Sequence, residues 1–147
     1  MPDLLIEVAD GVATLTMNRP GARNALSLEM RTGMHDFLDE HELDDTIRVV
    51  VIRGAGDHFM AGGDVKSFAQ LAKEQSPEEM RTHFLHRIHG LHGFISAMRR
   101  FPKPIIASTR GAVAGAGVSL AAACDLIIAS DDSFYTLAYC HIGISPD

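Results

Sequence analysis

Two glycine-rich turns, each following an apolar strand, constrain this chain more than any other feature. The first turn spans residues 54–63 and follows the run Val49, Val50, Val51, Ile52; the second spans residues 111–117 and follows the short apolar segment 104–108. Glycine lets a ligand approach the backbone closely, and N–H groups at the start of a helix have no acceptor within it. Two such turns can point one N–H each at a single oxygen and form an oxyanion hole. For any one glycine-rich turn, close packing is the commoner explanation, and composition alone does not decide between the two interpretations.

Hydrophobic patterning predicts an α/β chain of alternating strands and helices. Two strands at 4–8 and 12–17 flank Asp10-Gly11, which predicts a hairpin. The remaining expected elements are a helix capped by Ser27, a strand at 48–53 buried on both faces, a helix at 65–73, a long helix from Ser76-Pro77 to about Arg99, a strand at 104–108, an Ala-rich helix ending near Cys124, and strands at 126–129 and 133–136. The strand, helix, strand order predicts a crossover unit in which helices are layered on a sheet. No linker, low-complexity tract or clear internal repeat divides the 147 residues, so we expect one domain over 1–147.

Composition excludes several classes of protein. The hydrophobic content of 46% is enough for the core of a soluble globule, while the net charge of −6 argues against a nucleic-acid partner. The two cysteines, Cys124 and Cys140, form no CxxC motif, which favours a reducing, cytoplasmic setting. No secretory or transit signal is recognisable at the N-terminus. The longest uncharged stretch, 111–124, is too short to span a membrane, so we expect no membrane association.

Four separated motifs resemble those of the crotonase (enoyl-CoA hydratase/isomerase) superfamily. They are NRPGARNAL at 18–26, VVIRGAGDHFMAGGDVKSF at 50–68, KPIIASTRGAVAGAGVSLAAACDLIIAS at 103–130 and FYTLAYCHIGISPD at 134–147. They occur in family order over essentially the whole chain. The resemblance implies an α/β spiral of repeated ββα units that binds an acyl-CoA thioester, and it implies no metal and no cofactor besides the coenzyme A of the substrate.

By motif position, the resemblance assigns the two oxyanion donors to the backbone N–H groups of Ala61 and Ala116. Such donors stabilise an enolate formed next to a thioester carbonyl. The resemblance assigns substrate and coenzyme A binding to Arg23, Asn24, Ala25, Gly62, Gly63, Asp64, Val65, Lys66 and Gly115. Arg19, Arg23 and Lys66 are the candidate phosphate partners.

The acid or base is the point at which this chain departs from the hydratases of the family. Those enzymes carry two glutamates at the positions of Ser119 and Tyr139, and neither hydroxyl replaces a carboxylate at neutral pH without substantial help. The ending IGISPD resembles family isomerases in which an Asp at the Asp147 position shuttles a proton during double-bond migration. We therefore favour an isomerase with Asp147 as a catalytic residue; a cap or turn acid after Pro146 is the alternative.

The sequence gives weaker support to two other chemistries, a serine hydrolase and a metal site. Residues 117–121 resemble a nucleophile elbow, so Ser119 of a serine hydrolase is a remote alternative, although the last glycine of that motif is replaced by Ala. The histidines His83, His86, His89 and His92 follow steps of three along one helix and spread over half its circumference, so we expect no metal site there.

Family members usually continue well beyond the IGISPD motif, so the resemblance predicts a chain truncated after it, without most of the C-terminal helical region. We expect a homo-oligomer, which is a trimer or hexamer in the full-length family. Two interpretations stay open: an enoyl-CoA isomerase or hydratase, and a catalytically incompetent fragment or scaffold that binds acyl-CoA. Fatty-acid and aromatic-acid degradation both fit as pathways.

Overall fold

The structure, a computed structural model, describes residues 1–143. Asp147, the predicted proton shuttle, lies outside the described residues. The strands and helices are β1 (Leu4–Ala9), β2 (Val12–Met17), α1 (Leu28–His41), β3 (Val49–Gly54), α2 (Val65–Glu74), α3 (Pro77–Arg100), β4 (Ile105–Thr109), β5 (Ala112–Ala114), α4 (Ala116–Ala123), β6 (Leu126–Ala129) and β7 (Phe134–Thr136). Short 3-10 helices occur at Pro20–Ala22 and Ala138–Ile142. Over residues 1–143, no helix is both long and apolar enough to cross a membrane.

The larger sheet has the strand order β1-β2-β3-β4-β6. Its first two strands form the predicted antiparallel hairpin, and the turn residues Asp10 (φ 52°) and Gly11 (φ 80°) are both left-handed, as a type I′ turn requires. All the other pairings in this sheet are parallel. Strand β2 reaches its parallel neighbour β3 through α1, so the predicted crossover unit is confirmed.

A smaller sheet forms beside the glycine turns. Strands β5 and β7 pair in parallel, and Met60 joins them through a parallel bridge to Val113. After β3, β4 and β6, the chain therefore makes a short extended segment and then enters a helix. This is the α/β arrangement of ββα units that the resemblance implies. The sequence pattern did not predict β5, because its residues Ala112, Val113 and Ala114 lie inside a glycine-rich stretch that is typical of a turn.

The core lies between the larger sheet and the helices α1 and α3. Phe94 of α3 and Met34 of α1 are almost completely buried there. The prediction that strand β3 is buried on both faces was wrong. Val50 and Ile52 face the core, whereas Val49 and Val51 are half-buried and Arg53 is exposed. Side chains alternate along a strand, so these three share the opposite face, which the described residues cover only in part.

Helix boundaries follow local capping chemistry. Ser27 Oγ accepts a hydrogen bond from Met30 N–H at the start of α1. Ser76 and Glu79 form a reciprocal capping box at the start of α3, with Pro77 in its first turn. The hydrogen bonds from Ser76 hold the pKa of Glu79 below its ordinary value. Both helix starts are therefore determined by residues that the sequence shows directly.

Replacement of Phe94 tests the packing of α3 on the core. We expect Phe94→Ala to lower the free energy of unfolding by about 3 to 5 kcal/mol, because a large buried ring leaves a cavity. Leu85→Ala is the control on the same helix, since Leu85 is 40% exposed, and should change stability by less than about 1 kcal/mol. Urea unfolding followed by circular dichroism measures both changes; equal effects would contradict the assignment of Phe94 to the core.

Candidate active site

A cavity of about 910 Å³ lies between the glycine turns and helices α1, α2 and α3. Its wall is formed mainly by backbone and apolar side chains. The residues that line it are Leu26, Ser27, Leu28, Arg31, Ala61, Gly62, Gly63, Val65, Phe68, Phe84, Arg87, Ile88, Leu91, Gly115, Ala116, Ala138 and Tyr139. A second cavity of about 460 Å³, which Ser119 lines, shares Leu26, Leu91 and Ala116 with the first. The two cavities are therefore neighbours along one wall.

The two glycine turns touch each other through their backbones. A Cβ added to Gly62 would lie 3.2 Å from Ala114 O and 3.7 Å from Ala116 N, and one added to Gly115 would lie 3.7 Å from Gly62 Cα. Both glycines also have positive φ, 93° at Gly62 and 50° at Gly115. The absence of side chains at these positions therefore serves close packing and, at the same time, leaves backbone on the cavity wall. Close packing is therefore observed at both turns, and the oxyanion hole stays a prediction.

The N–H groups at this contact are not all available to a ligand. Ala61 N–H donates to Arg23 O over 2.9 Å, so the donor that the motif position predicted is engaged within the protein. Within the described part of the chain, no group accepts a hydrogen bond from the N–H groups of Gly62, Gly63 or Ala116. Ala116 is the first residue of α4, where an N–H has no intrahelical acceptor. The geometry therefore argues against Ala61 as the first donor and favours Gly63, which is half-buried, over Gly62, which is buried. The donor role of Ala116 stays a prediction.

The loop predicted to contact coenzyme A is held in place by hydrogen bonds to the rest of the protein. Asn24 is completely buried with φ 55°, and its side-chain amide donates to Ala55 O and His58 O over 2.9 and 2.7 Å. Its Oδ1 accepts from Arg19 N–H over 2.9 Å. Ala25 is also buried and accepts a hydrogen bond from the Arg19 guanidinium at its carbonyl. Asn24 and Ala25 thus support the turn without lining the cavity.

The predicted binding residues with charged side chains lie near the first glycine turn and do not line the cavity. Arg23 and Lys66 are exposed and do not line it. Asp64 caps α2 by accepting from Ser67 N–H, and it forms an ion pair of 2.9 Å with Arg19. Burial raises the pKa of Asp64, but the hydrogen bonds from Arg19 and from Ser67 N–H outweigh it and hold that pKa below its ordinary value of 3.8. Asp64 therefore remains an anion that orders the start of α2.

The two positions of the absent glutamates meet at the site. Ser119 Oγ lies 3.4 Å from Tyr139 OH, and the tyrosine is 8% exposed. A Cβ added to Gly115 would be 4.0 Å from Tyr139 Cζ, so the ring lies beside the second glycine turn. Within residues 1–143, no aspartate or glutamate lines either cavity. The two positions that the resemblance aligns with the family glutamates therefore carry neighbouring hydroxyl groups.

Other chemistries find no support in the geometry. Ser119 lies within the helix α4 rather than at a strand-to-helix elbow, and although His92 lines the same smaller cavity, no hydrogen bond joins the two among the described residues. No group of three potential ligands that could hold a metal ion occurs in the described region. Burial raises the pKa of Cys124 to about 12, which keeps that thiol protonated and unreactive.

One face of α3 supplies a wall of the cavity that the sequence analysis did not assign. Phe84, Arg87, Ile88 and Leu91 line it. Their spacing of three and four residues is the signal that places them on one side of a helix. Without the position of α3 relative to the turns, this spacing does not distinguish a cavity wall from ordinary core packing.

Comparison with known proteins agrees with the fold and the motifs. Residues 7–147 match the family model described as Enoyl-CoA hydratase/isomerase. A trans-2-decenoyl-[acyl-carrier-protein] isomerase from Streptococcus mutans is 36% identical over 99% of this chain and 54% of that protein. A 1,2-epoxyphenylacetyl-CoA isomerase from Escherichia coli is 33% identical over 100% of this chain and 55% of its own length. The crystal structure of an enoyl-CoA hydratase from a Polaromonas species superimposes with a TM-score of 0.89 at 37% identity, over 98% of this chain and 54% of that one. The chain thus spans about half the length of the relatives it matches.

The charge of Asp64 can be tested separately from its capping role, because asparagine caps a helix about as well as aspartate. We expect Asp64→Asn to lower the free energy of unfolding at neutral pH by roughly 0.5 to 1 kcal/mol, through loss of the ion pair with Arg19. Since the folded pKa is lowered, this contribution is complete above the ordinary value of 3.8 and is lost as the pH falls through the lowered pKa.

Urea unfolding at neutral pH and at a pH well below 3.8 measures this difference. The exposed Asp36→Asn on α1 is the matched control. A stability difference for Asp64→Asn that does not shrink in acid would show that the charge is not responsible.

Proposed function

This chain belongs to the enoyl-CoA hydratase/isomerase family, and from that membership we propose that it binds an acyl-CoA thioester and moves a double bond along the acyl chain. The observation that carries the proposal is the pair of N–H groups, at Gly63 and Ala116, on one cavity wall and without acceptors among the described residues. The relatives named above act on acyl thioesters by name, which supports this substrate class.

In the proposed complex, the thioester carbonyl oxygen accepts hydrogen bonds from Gly63 N–H and Ala116 N–H. Removal of a proton from C2 of a 3-enoyl-CoA moves negative charge onto that oxygen, and return of a proton to C4 gives the 2-enoyl-CoA. Both donors are backbone groups held by the contact between the two turns, so they need no reorganisation as the charge develops. Ala116 N–H also lies at the positive end of α4.

For the coenzyme A portion, we propose Arg23 and Lys66 as partners of the phosphates. Both are exposed. Lys66 follows the first glycine turn by three residues, and Arg23 contacts that turn through the hydrogen bond from Ala61 N–H to Arg23 O. Arg19 is a weaker candidate for phosphate binding than Arg23 or Lys66, because its guanidinium forms an ion pair with Asp64 and lies 3.5 Å from Asp3. Gly62, Val65 and Gly115 would contact the thioester end, since they line the cavity beside the two donors.

We favour double-bond migration over hydration because of the hydroxyl pair. Addition of water needs a base that activates it, and Ser119 and Tyr139 occupy the positions of the two family glutamates. Asp147 is our proposed proton shuttle between C2 and C4. The proposal also includes homo-oligomeric assembly.

A second candidate function is acyl-CoA binding without catalysis. The observation in its favour is that no carboxylate among residues 1–143 lines either cavity. Under this alternative the backbone donors still hold the thioester carbonyl, but no group moves the proton.

Turnover of two substrates separates these functions. We expect the purified chain to convert a 3-enoyl-CoA into a 2-enoyl-CoA of unchanged mass, and Asp147→Asn to abolish the conversion, because the shuttle carboxylate is lost. Retention time and mass spectrometry measure the products. Gain of one water on a 2-enoyl-CoA would establish hydration instead, and acyl-CoA binding with no turnover would establish the non-catalytic alternative.

Deletion of a single N–H group tests the oxyanion hole directly. Ala116 is the first residue of a helix, a position that tolerates proline, so Ala116→Pro removes one donor while α4 can still form. We expect kcat to fall by about a hundredfold or more, as for loss of one oxyanion donor. Ala116→Val is the control of similar size that keeps the N–H. Equal kcat values for Ala116→Pro and Ala116→Val would show that Ala116 N–H takes no part in catalysis. If the wild type shows no turnover, the acyl-CoA affinities of the two variants are compared instead, and equal affinities would show that Ala116 N–H does not bind the thioester.

A further inference from the structure

Two guanidinium groups line the cavity of about 910 Å³, in a part of its wall that is otherwise apolar. Arg31 comes from α1 and Arg87 from α3, and their neighbours in the wall include Phe68, Phe84 and Ile88. Both arginines are half-buried. Taking a cation partly out of water is unfavourable unless an anion or hydrogen-bond acceptors compensate for it. The roles proposed above do not use either residue.

Arg87 is held close to the proposed oxyanion site. Its Nη2 donates to Leu26 O over 3.2 Å, and its guanidinium stacks 4.7 Å from the centre of the Phe68 ring. Leu26 N–H donates in turn to Gly62 O over 2.8 Å. The Arg87 side chain is therefore connected, through one residue, to the turn that carries Gly63. This places positive charge beside the start of the acyl group rather than at the far end of coenzyme A.

Arg31 is fixed in place but retains most of its donors. Its Nη1 donates to Arg87 O over 2.9 Å. A Cβ added to Gly90 would lie 2.7 Å from that same nitrogen, so the guanidinium packs directly on the backbone of α3. A guanidinium has five N–H donors, and across residues 1–143 Arg31 makes this one hydrogen bond and no ion pair. Its remaining donors are free to bind an anion.

We propose that the acyl group of the substrate carries a carboxylate, which Arg31 binds through its guanidinium, so that the substrate class is a dicarboxylic acyl-CoA thioester. This inference rests on the proposed function and specifies its substrate. Arginine suits the role because it is always charged and binds a carboxylate through two parallel hydrogen bonds. The phosphates of coenzyme A are a second source of anionic oxygen, but the pantetheine arm separates them from the thioester, whereas the acyl chain begins there.

Calorimetric binding of three probes tests the inference without requiring turnover. The probes are glutaryl-CoA, pentanoyl-CoA of equal chain length but without the terminal carboxylate, and coenzyme A itself. We expect wild type to bind glutaryl-CoA about tenfold more tightly than pentanoyl-CoA, the size of one good charged hydrogen-bond contact. Arg31→Met should weaken glutaryl-CoA binding by about tenfold and leave pentanoyl-CoA binding within about twofold.

Arg81→Met, an exposed arginine on α3, is the matched control and should change none of the three affinities. Circular dichroism and thermal unfolding check that each variant is folded. Arg31→Lys keeps the charge but loses the paired hydrogen bonds, so it should restore only part of the preference. This intermediate result distinguishes anion binding from a purely structural role of Arg31.

The remaining outcomes overturn the inference in different ways. Equal losses for all three probes in Arg31→Met would assign Arg31 to the phosphates of coenzyme A. Equal affinity of wild type for glutaryl-CoA and pentanoyl-CoA would reject the acyl carboxylate while leaving the proposed function intact. If wild type binds neither acyl-CoA, the proposed function fails, and this inference fails with it.

Discussion

The contact between the backbones of the two glycine turns is the constraint on which the rest of the site depends. Gly62 lies against Ala114 and Ala116 so closely that a methyl group on it would press on the carbonyl of Ala114. The contact is possible because each turn follows a segment of the same smaller sheet, Met60 in one case and β5 in the other. Parallel pairing of these segments aligns their ends, and the turns meet there.

From this contact follows the choice of hydrogen-bond donors. The first glycine turn pairs with the loop at residues 18–26: Ala61 N–H donates to Arg23 O, and Leu26 N–H donates to Gly62 O. The N–H groups of Gly62 and Gly63, which follow Ala61 in the chain, are left without an acceptor in the described region. The buried Asn24 holds the loop at residues 18–26 against the first glycine turn through three hydrogen bonds.

The environment of the site is asymmetric in charge. Arg31 and Arg87 line the larger cavity, and no carboxylate among residues 1–143 lines either cavity. Asp64, next to the first glycine turn, is paired with Arg19 at the start of α2. A cavity of this kind attracts anionic ligands locally although the whole chain carries a net charge of −6. Local placement of a few cations, rather than overall charge, therefore governs which ligands the cavity accepts.

Local features of the sequence by themselves determined the hairpin at Asp10-Gly11, the caps at Ser27 and Ser76, the crossover through α1 and the family resemblance, because turn chemistry, capping and periodicity act over a few residues. Tertiary structure alone decided the rest. It made Ala112 to Ala114 a strand by pairing it with distant segments, left one face of β3 partly uncovered, engaged Ala61 N–H with Arg23 O, and brought Arg31 to the wall formed by α3. Each of these outcomes depends on contacts between residues far apart in the chain, and local propensity carries no information about such contacts.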